Sequence, residues 1–117
     1  MSKFVTTGLS VTATSGGASG NVLYTCPARF NGEITFFHIS SGTSANKKIT
    51  VEFYHAETTT YHKLLNALDM AASSSHEVGG AGAHIAMHPG DKIVCSTDTA
   101  SNFDVLISVT ETRRLET

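Results

Sequence analysis

Histidines and carboxylates are the residues of this chain best suited to chemistry. His84 and His88 lie four positions apart, which on a helix would place both imidazoles on one face for a zinc ion. The residues between them, Ile-Ala-Met, and the following Pro-Gly instead predict a strand that ends in a turn. On a strand the two histidines would lie about 13 Å apart, too far to bind one ion. We therefore expect no metal site there.

The remaining polar groups form no catalytic constellation either. Asp91, Asp98 and Asp104 match the spacing of no calcium loop, and aspartates commonly serve turns. His38, within an apolar segment, is expected to be partly buried and hydrogen-bonded to the backbone. No Gly-x-Ser-x-Gly nucleophile elbow is present. The sequence predicts no catalytic residue, no cofactor and no metal, so we expect a protein that is not an enzyme.

The two cysteines, Cys26 and Cys95, are far apart in the sequence, and each stands in an apolar segment. Such a position gives no reason for the lowered pKa of a reactive thiol. We predict two small buried hydrophobic residues, with a disulfide between them as the alternative.

Size and charge restrict the classes of protein that remain. The 117 residues, with a mass of 12.4 kDa, suffice for one domain with a single core. A net charge of −2 and a pI near 6.3 provide no cationic field for nucleic acid. No apolar run approaches the ~20 residues of a membrane span, and the N-terminus lacks the apolar core of a secretory signal. We expect a soluble chain made in a cytoplasm that binds neither nucleic acid nor membrane.

Alternation of apolar and polar residues predicts strands along most of the chain. In the last predicted strand, apolar residues occupy every second position: Phe103, Val105, Ile107 and Val109. The segment from Ile49 to His55 alternates in the same way and predicts a strand with one wet face. Residues 61–72 fit a helix or a strand, and we predict a strand to Leu65 followed by a bend.

Glycine, asparagine and serine mark the connections between these strands. Residues 14–21 form the run TSGGASGN, which predicts a loop or flexible joint. Asn31-Gly32 predicts a tight turn. Short strands with turns between them and no sequence repeat are typical of a β-sandwich or jelly roll. We predict an all-β fold, a single antiparallel β-sandwich or jelly-roll-like domain of seven or eight strands.

Three regions are expected along the chain. Residues 1–20 would form an N-terminal strand or arm with a Gly-Ser hinge, residues 21–112 the sandwich and residues 113–117 a C-terminal tail. In the arm, Phe4, Val5 and Leu9 precede the hinge and are candidates for docking onto a partner.

Two stretches carry a family resemblance: VLYTCPARFNGEITFFHISSGTSANKKITVEFYH, which begins at Val22, and HIAMHPGDKIVCSTDTASNFDVLISVTET, which begins at His84. With the residues between them they resemble small β-sandwich virion proteins of tailed bacteriophages. The matching positions are Leu23-Tyr24-Thr25, Pro27-Ala28, Pro89-Gly90-Asp91, Ile93 and Asp104-Val105, with Cys26 where an aliphatic residue is usual.

The resemblance implies a capsid decoration, or cement, protein that binds across major capsid subunits and stabilises the shell. Its implied partners are the major capsid protein or other virion proteins, its location is the virion, and its state is a homo-oligomer, with a trimer as the guess. Arg113 and Arg114 could pair with acidic residues of a partner, or form a solvated basic tail.

The alternative function is that of a tail-fibre or head-surface module that binds host receptor glycans. Tyr54, His55, Tyr61 and His62 flank one predicted turn and could form a shallow patch on which aromatic faces stack against sugars. Core packing would explain these residues equally well. A third hypothesis, a metal-dependent enzyme of cupin-like type, would need histidines and a carboxylate that converge.

Overall fold

Period-two alternation gives most segments one apolar face, and the computed structural model pairs these segments into two antiparallel sheets. The structure describes residues 2–42, 46–78 and 84–114. Its strands are β1 (Ser2–Ser10), β2 (Asn21–Thr25), β3 (Phe30–Ser41), β4 (Lys47–His55), β5 (Thr60–Met70), β6 (Ser75–Glu77), β7 (Ile85–Met87), β8 (Lys92–Thr97) and β9 (Phe103–Arg113). Within the described ranges, no helical segment is long and apolar enough to cross a membrane.

The two sheets differ in size. The five-stranded sheet has the order β1-β9-β3-β6, and β7 also pairs with β3. The four-stranded sheet has the order β2-β8-β4-β5. The predicted all-β sandwich is confirmed. The described residues hold nine strands where seven or eight were predicted, and the two short strands β6 and β7 both pair with β3.

The core lies between the inward faces of the sheets. Every second residue of β9, from Phe103 to Val109, is buried, as the alternation predicted. These side chains meet Ile49 and Val51 of the opposite sheet in one cluster. Burial of each such side chain contributes roughly 1.5–3 kcal/mol. Both cysteines are buried and free, so the prediction of small core residues is confirmed and the disulfide alternative is wrong.

The predicted bend after Leu65 is a bulge within a longer strand. Ile49 pairs with Leu68 and Val51 with Leu65, so β5 contains one more residue than β4 between these two pairs. Ala67 adopts a positive φ of 52° there, and its N–H donates a hydrogen bond to the Thr50 hydroxyl at 3.0 Å. Pairing then resumes and continues to Met70.

The predicted turn at Asn31-Gly32 is wrong, because both residues lie inside β3. The chain turns earlier, where Arg29 has a φ of 70° and the Phe30 N–H donates to the Pro27 carbonyl at 3.3 Å. Gly32 faces the core instead. A Cβ atom on Gly32 would lie 3.3 Å from a Val109 methyl and 3.4 Å from the Tyr24 hydroxyl, so its small size serves packing.

Candidate functional site

The outward face of the four-stranded sheet carries a set of polar and aromatic side chains. Strand alternation turns Thr50, Glu52 and Tyr54 of β4 away from the core. The register places Lys63 opposite Glu52 and Tyr61 opposite Tyr54 on β5. On the other side of β4, Ser96, Val94 and Lys92 of β8 pair with the same three residues.

A glycine-rich loop, residues 14–20, folds back over this face and forms a wall on it. The Gly17 N–H donates a hydrogen bond of 2.8 Å to Glu52 Oε1. A Cβ atom on Gly16 would lie 2.5 Å from that oxygen, and one on Gly20 would lie 2.4 Å from a Val94 methyl. Glycine at position 20 therefore allows the close approach of the backbone to the sheet, whereas a side chain at Gly16 would displace the Glu52 carboxylate. This contact buries Glu52 on a strand face that sequence alternation predicted to be wet.

Between the loop and β5 runs a groove of about 430 Å³, called here the sheet groove. Its lining includes Lys48, Thr50, Glu52, Lys63, Ser96 and Asp98. The sequence analysis singled out none of these as a binding residue except Asp98, which it considered for calcium. Their signal was the repeated placement of polar residues on the outward positions of β4, beside Tyr54.

An aromatic pair continues the face beyond the groove. The Tyr54 and Tyr61 rings lie 4.7 Å apart between centroids, with an interplanar angle of 46°. Lys92 Nζ lies 5.5 Å from the Tyr54 ring centroid, in the range of a cation–π contact. Both tyrosines are half-buried.

The four residues predicted as a glycan patch lie on two opposite faces of the β4–β5 hairpin. His62 pairs with Phe53 and His55 with Thr60, so both histidines project from the hairpin face opposite the tyrosines. His55 Nδ1 lies 3.0 Å from the Thr58 hydroxyl, and His62 Nε2 lies 3.0 Å from the Thr60 hydroxyl. The tyrosines are thus brought together on the groove side without the histidines.

The predicted docking residues of the N-terminal segment differ in whether they face the core or the solvent. β1 pairs along its whole length with β9, from Ser2 opposite Thr112 to Ser10 opposite Asp104. Val5 and Leu9 face inward and pack against the core of their own sandwich. Phe4 faces outward with 86% of its side chain exposed. Of the three, only Phe4 presents a freely accessible apolar side chain.

Phe4 belongs to a second exposed surface, the outward face of the five-stranded sheet, where large apolar residues stand among polar ones such as Ser108 and Thr110. Phe36 and Leu106 lie on the same outward face and are 41% and 42% exposed. His38 stacks on Phe36, with ring centroids 5.9 Å apart and planes 6° apart. His38 is partly buried, as predicted, and it packs on an aromatic ring.

The two arginines of the predicted tail end the last strand. Arg113 is the final residue of β9, where it pairs with Phe30, and the Arg114 N–H donates to the Arg29 carbonyl at 2.8 Å. Both side chains are exposed. Residues 115–117 lie outside the described residues.

A buried polar cluster links the two sheets near this end. The Tyr24 hydroxyl of β2 donates a hydrogen bond to Glu111 of β9, and Lys3 Nζ of β1 lies 3.4 Å from the other oxygen of the same carboxylate. Burial raises the pKa of the Tyr24 phenol, and the hydrogen bond to Glu111 raises it further. Burial also raises the pKa of the neighbouring Cys26 thiol. The Tyr24 phenol and the Cys26 thiol therefore stay in their neutral forms, which suits a structural contact.

The aspartates and histidines considered for metal chemistry serve turns and surface pairs. Asp91 accepts hydrogen bonds of 2.9 Å from the Ala56 and His88 N–H groups, and Asp98 accepts one of 3.0 Å from the Lys48 N–H. His84 Nδ1 lies 3.3 Å from a Glu33 oxygen on the surface. Across residues 2–42, 46–78 and 84–114, no group of three or more potential ligands is arranged to hold a metal ion.

Comparison with known proteins identifies fold neighbours. No protein-family model matches the chain, and no curated protein matches it with significance. A solved structure of Bacillus endospore appendages, described as a family of disulfide-linked pili, is similar over 98% of this chain and 88% of that one, with a TM-score of 0.56 and 13% identity. At this identity the likeness concerns the β-sandwich fold.

A second solved structure contains the CBM22-1 and GH10 modules of a Clostridium thermocellum endo-1,4-β-D-xylanase in complex with xylohexaose. It matches 96% of this chain and 26% of that one at 14% identity. Its TM-score of 0.39 is too low to support a structural argument.

Proposed function

We propose that this chain is a virion structural protein that acts by association, most specifically a capsid decoration protein that binds copies of itself and neighbouring capsid subunits. One observation carries the proposal: the N-terminal strand β1 is long and, within residues 2–42, 46–78 and 84–114, is an open edge of its sheet. Its mechanism is mass action, since a protein that binds only the assembled shell stabilises that shell.

The open edge is long and little protected. β1 has nine residues, pairs with β9 on one side and ends the strand order of its sheet. Proteins that remain monomeric usually protect such edges with lysine, proline or a bulge. β1 contains no proline and keeps a regular register with β9. Its one charged residue, Lys3, lies near the start of the strand, so the seven residues from Phe4 to Ser10 carry no charge. The backbone of β1 can therefore add a further strand.

A second copy of the same chain is the occupant that we propose for this edge. Antiparallel pairing of two β1 strands would obey the two-fold symmetry of most homodimers. It would also place the outward faces of the two five-stranded sheets side by side, with Phe4, Phe36 and Leu106 of each molecule exposed there. Such a surface suits contact with a capsid shell because exposed apolar patches commonly mark protein interfaces.

The fold is compatible with assembly, because the similar Bacillus chain belongs to a family of pili. That likeness supports a role for this β-sandwich as the subunit of an assembly, but it does not identify the partner. The phage capsid as partner rests on the sequence resemblance described above.

Light scattering of the purified protein, paired with co-sedimentation on undecorated phage capsids, tests the proposal. We expect an oligomer and saturable binding at a fixed ratio to capsid subunits. Thr6→Lys places a charge on the open edge, and Thr25→Lys places the same charge on the exposed edge strand β2 of the other sheet. Thr6→Lys should lower the mass and Thr25→Lys should not. A protein that is monomeric by light scattering and does not co-sediment with capsids would contradict the proposal.

Recognition of host receptor glycans, by a tail-fibre or head-surface module, is the second candidate function. The observation that favours it is the Tyr54–Tyr61 pair beside the sheet groove. The two candidates use opposite faces of the sandwich, so one molecule can combine them.

A further inference from the structure

The tyrosine pair and the sheet groove form one continuous track on the outward face of the four-stranded sheet. The track follows β4 from Tyr54 to Lys48, a distance of six residues. At about 3.3 Å per residue it is roughly 20 Å long. That length accommodates several sugar rings in a row, whereas a single small metabolite would fill only part of it.

One end of the track offers an aromatic platform. Tyr54 and Tyr61 pair directly across neighbouring strands, and β5 is the edge strand of its sheet, so Tyr61 can be approached from the side. Aromatic rings with a polar tip suit ligands that present an apolar C–H face and hydroxyl groups together. Carbohydrate rings combine both.

The groove supplies hydrogen-bond donors and acceptors for the hydroxyl groups of such a ligand. Lys63 is an exposed donor on the rim. Glu52 is 6% exposed and lines the groove, and only its Oε1 accepts a hydrogen bond from the described residues, namely from Gly17. The second carboxylate oxygen is therefore available to accept from a ligand, and the contact with Gly17 holds it in place. A preformed acceptor loses little entropy when it binds.

The charge of the lining favours a neutral ligand over an anionic one. Lys63 lies opposite Glu52, and the Lys48 N–H donates to Asp98, so each carboxylate of the groove has a lysine beside it and the charges balance. A phosphate or sulfate chain would meet both carboxylates, and like charges at short distance repel. A hydroxyl group can donate to a carboxylate and accept from an ammonium group, so it fits either neighbour.

We propose that this track binds a neutral carbohydrate chain, with Tyr54 and Tyr61 stacking on sugar rings and Glu52 and Lys63 hydrogen-bonding their hydroxyl groups. The proposal deepens the second candidate function, on which it rests, and does not depend on the capsid role. It also replaces the predicted patch: the two tyrosines remain, and the groove residues take the place of His55 and His62.

Binding of the full chain to immobilised glucan, mannan and chitin, with heparin as an anionic probe, tests the proposal. We expect binding to at least one neutral polysaccharide that changes little with salt, because charge screening has little effect on neutral contacts. Tyr61→Ala should weaken that binding about tenfold, a change that corresponds to about 1.4 kcal/mol. Lys63→Ala, an exposed substitution that spares the fold, should weaken it to a lesser degree. Circular dichroism checks that each variant is folded.

His62→Ala is the matched control, because it removes an exposed aromatic ring from the same strand as Tyr61 but from the opposite face of the hairpin. Its affinity should equal that of the unmodified chain. Neutral binding that survives both Tyr61→Ala and Lys63→Ala would keep glycan recognition but overturn this site. No binding to any neutral polysaccharide, or binding to heparin alone that salt abolishes, would overturn the proposal itself.

Discussion

Three acidic side chains buried in the sandwich, Tyr24, Cys26 and Cys95, are kept neutral by their surroundings. Cys95 lies wholly inside the core, and burial raises the pKa of its thiol from 9.0 to about 12. A thiol in this state is a poor nucleophile and a poor partner for disulfide exchange. The buried cysteines therefore act as small apolar residues of the packing.

The raised pKa of Cys95 predicts a loss of stability in alkali. The unfolded thiol ionises near pH 9.0, whereas the folded one stays protonated until about pH 12. Its contribution to stability is complete below pH 9 and is lost progressively as the pH rises toward 12. The slope from one such group approaches about 1.4 kcal/mol per pH unit. Urea unfolding at several alkaline pH values measures it.

Cys95→Val is the control for this prediction, since valine is similar in size and does not titrate. The free energy of unfolding of this variant should fall less steeply with pH than that of the unmodified chain. Equal slopes in the two proteins would show that Cys95 does not contribute. In the unmodified chain, thiol reagents should label Cys95 only after unfolding.

At the scale of elements, the β4–β5 hairpin contains a conformation that its sequence does not favour. Thr59 adopts a φ of 52° in the connection between His55 and Thr60, and its N–H donates to the Ala56 carbonyl at 3.3 Å. The left-handed region is costly for a β-branched residue, by about 1–2 kcal/mol. The turn is imposed by the pairing of two long strands whose register is fixed by inward-facing residues.

Thr59→Asn should therefore stabilise the protein. Asparagine tolerates the left-handed region better than threonine, so we expect a gain of about 0.5–1 kcal/mol in the free energy of unfolding. Thermal and urea unfolding measure the change. Thr58→Asn, one position earlier and without a positive φ, should bring no such gain. A loss of stability on Thr59→Asn would contradict the strain assigned to this residue.

At the scale of the whole molecule, the N-terminal strand is both a part of the sandwich and its open edge. Its inward residues pack on the core, while its outer side is unpaired within the described chain. Val11, just after it, is fully buried and donates to the Phe103 carbonyl at 2.9 Å. The Asn21 side chain accepts hydrogen bonds from the Thr12 and Ala13 N–H groups and holds the chain that leads into the loop. The segment is thus tied at its C-terminal end.

Deletion of residues 1–10 should destabilise the sandwich and leave β9 as a new edge. Loss of the half-buried Val5 and Leu9 side chains should lower the free energy of unfolding by about 3 kcal/mol. A synthetic peptide of residues 2–12, added in trans, should bind the truncated protein and restore part of the loss. Fluorescence anisotropy of the labelled peptide measures this. A peptide with Val5→Asp and Leu9→Asp is the control and should not bind.

Period-two alternation was sufficient to predict the all-β class and most of the strands. In β9 every second residue from Phe103 to Val109 is apolar and buried, and in β4 Ile49, Val51 and Phe53 face the core as expected. Such patterns succeed because successive side chains of a strand point to opposite faces, so the face of a residue depends only on its position within that strand. Both cysteines were likewise assigned correctly from their apolar neighbours.

What the sequence could not determine depends on contacts between distant segments. The register between β4 and β5 determines that the two tyrosines share the groove face and that the two histidines lie on the opposite face. The return of residues 14–20 onto the sheet decided that Glu52 is buried and that a groove exists. The pairing of β1 with β9, about a hundred residues later in the chain, determines which residues of the N-terminal strand are exposed to solvent. Alternation assigns faces within one strand, whereas only tertiary packing determines what each face meets.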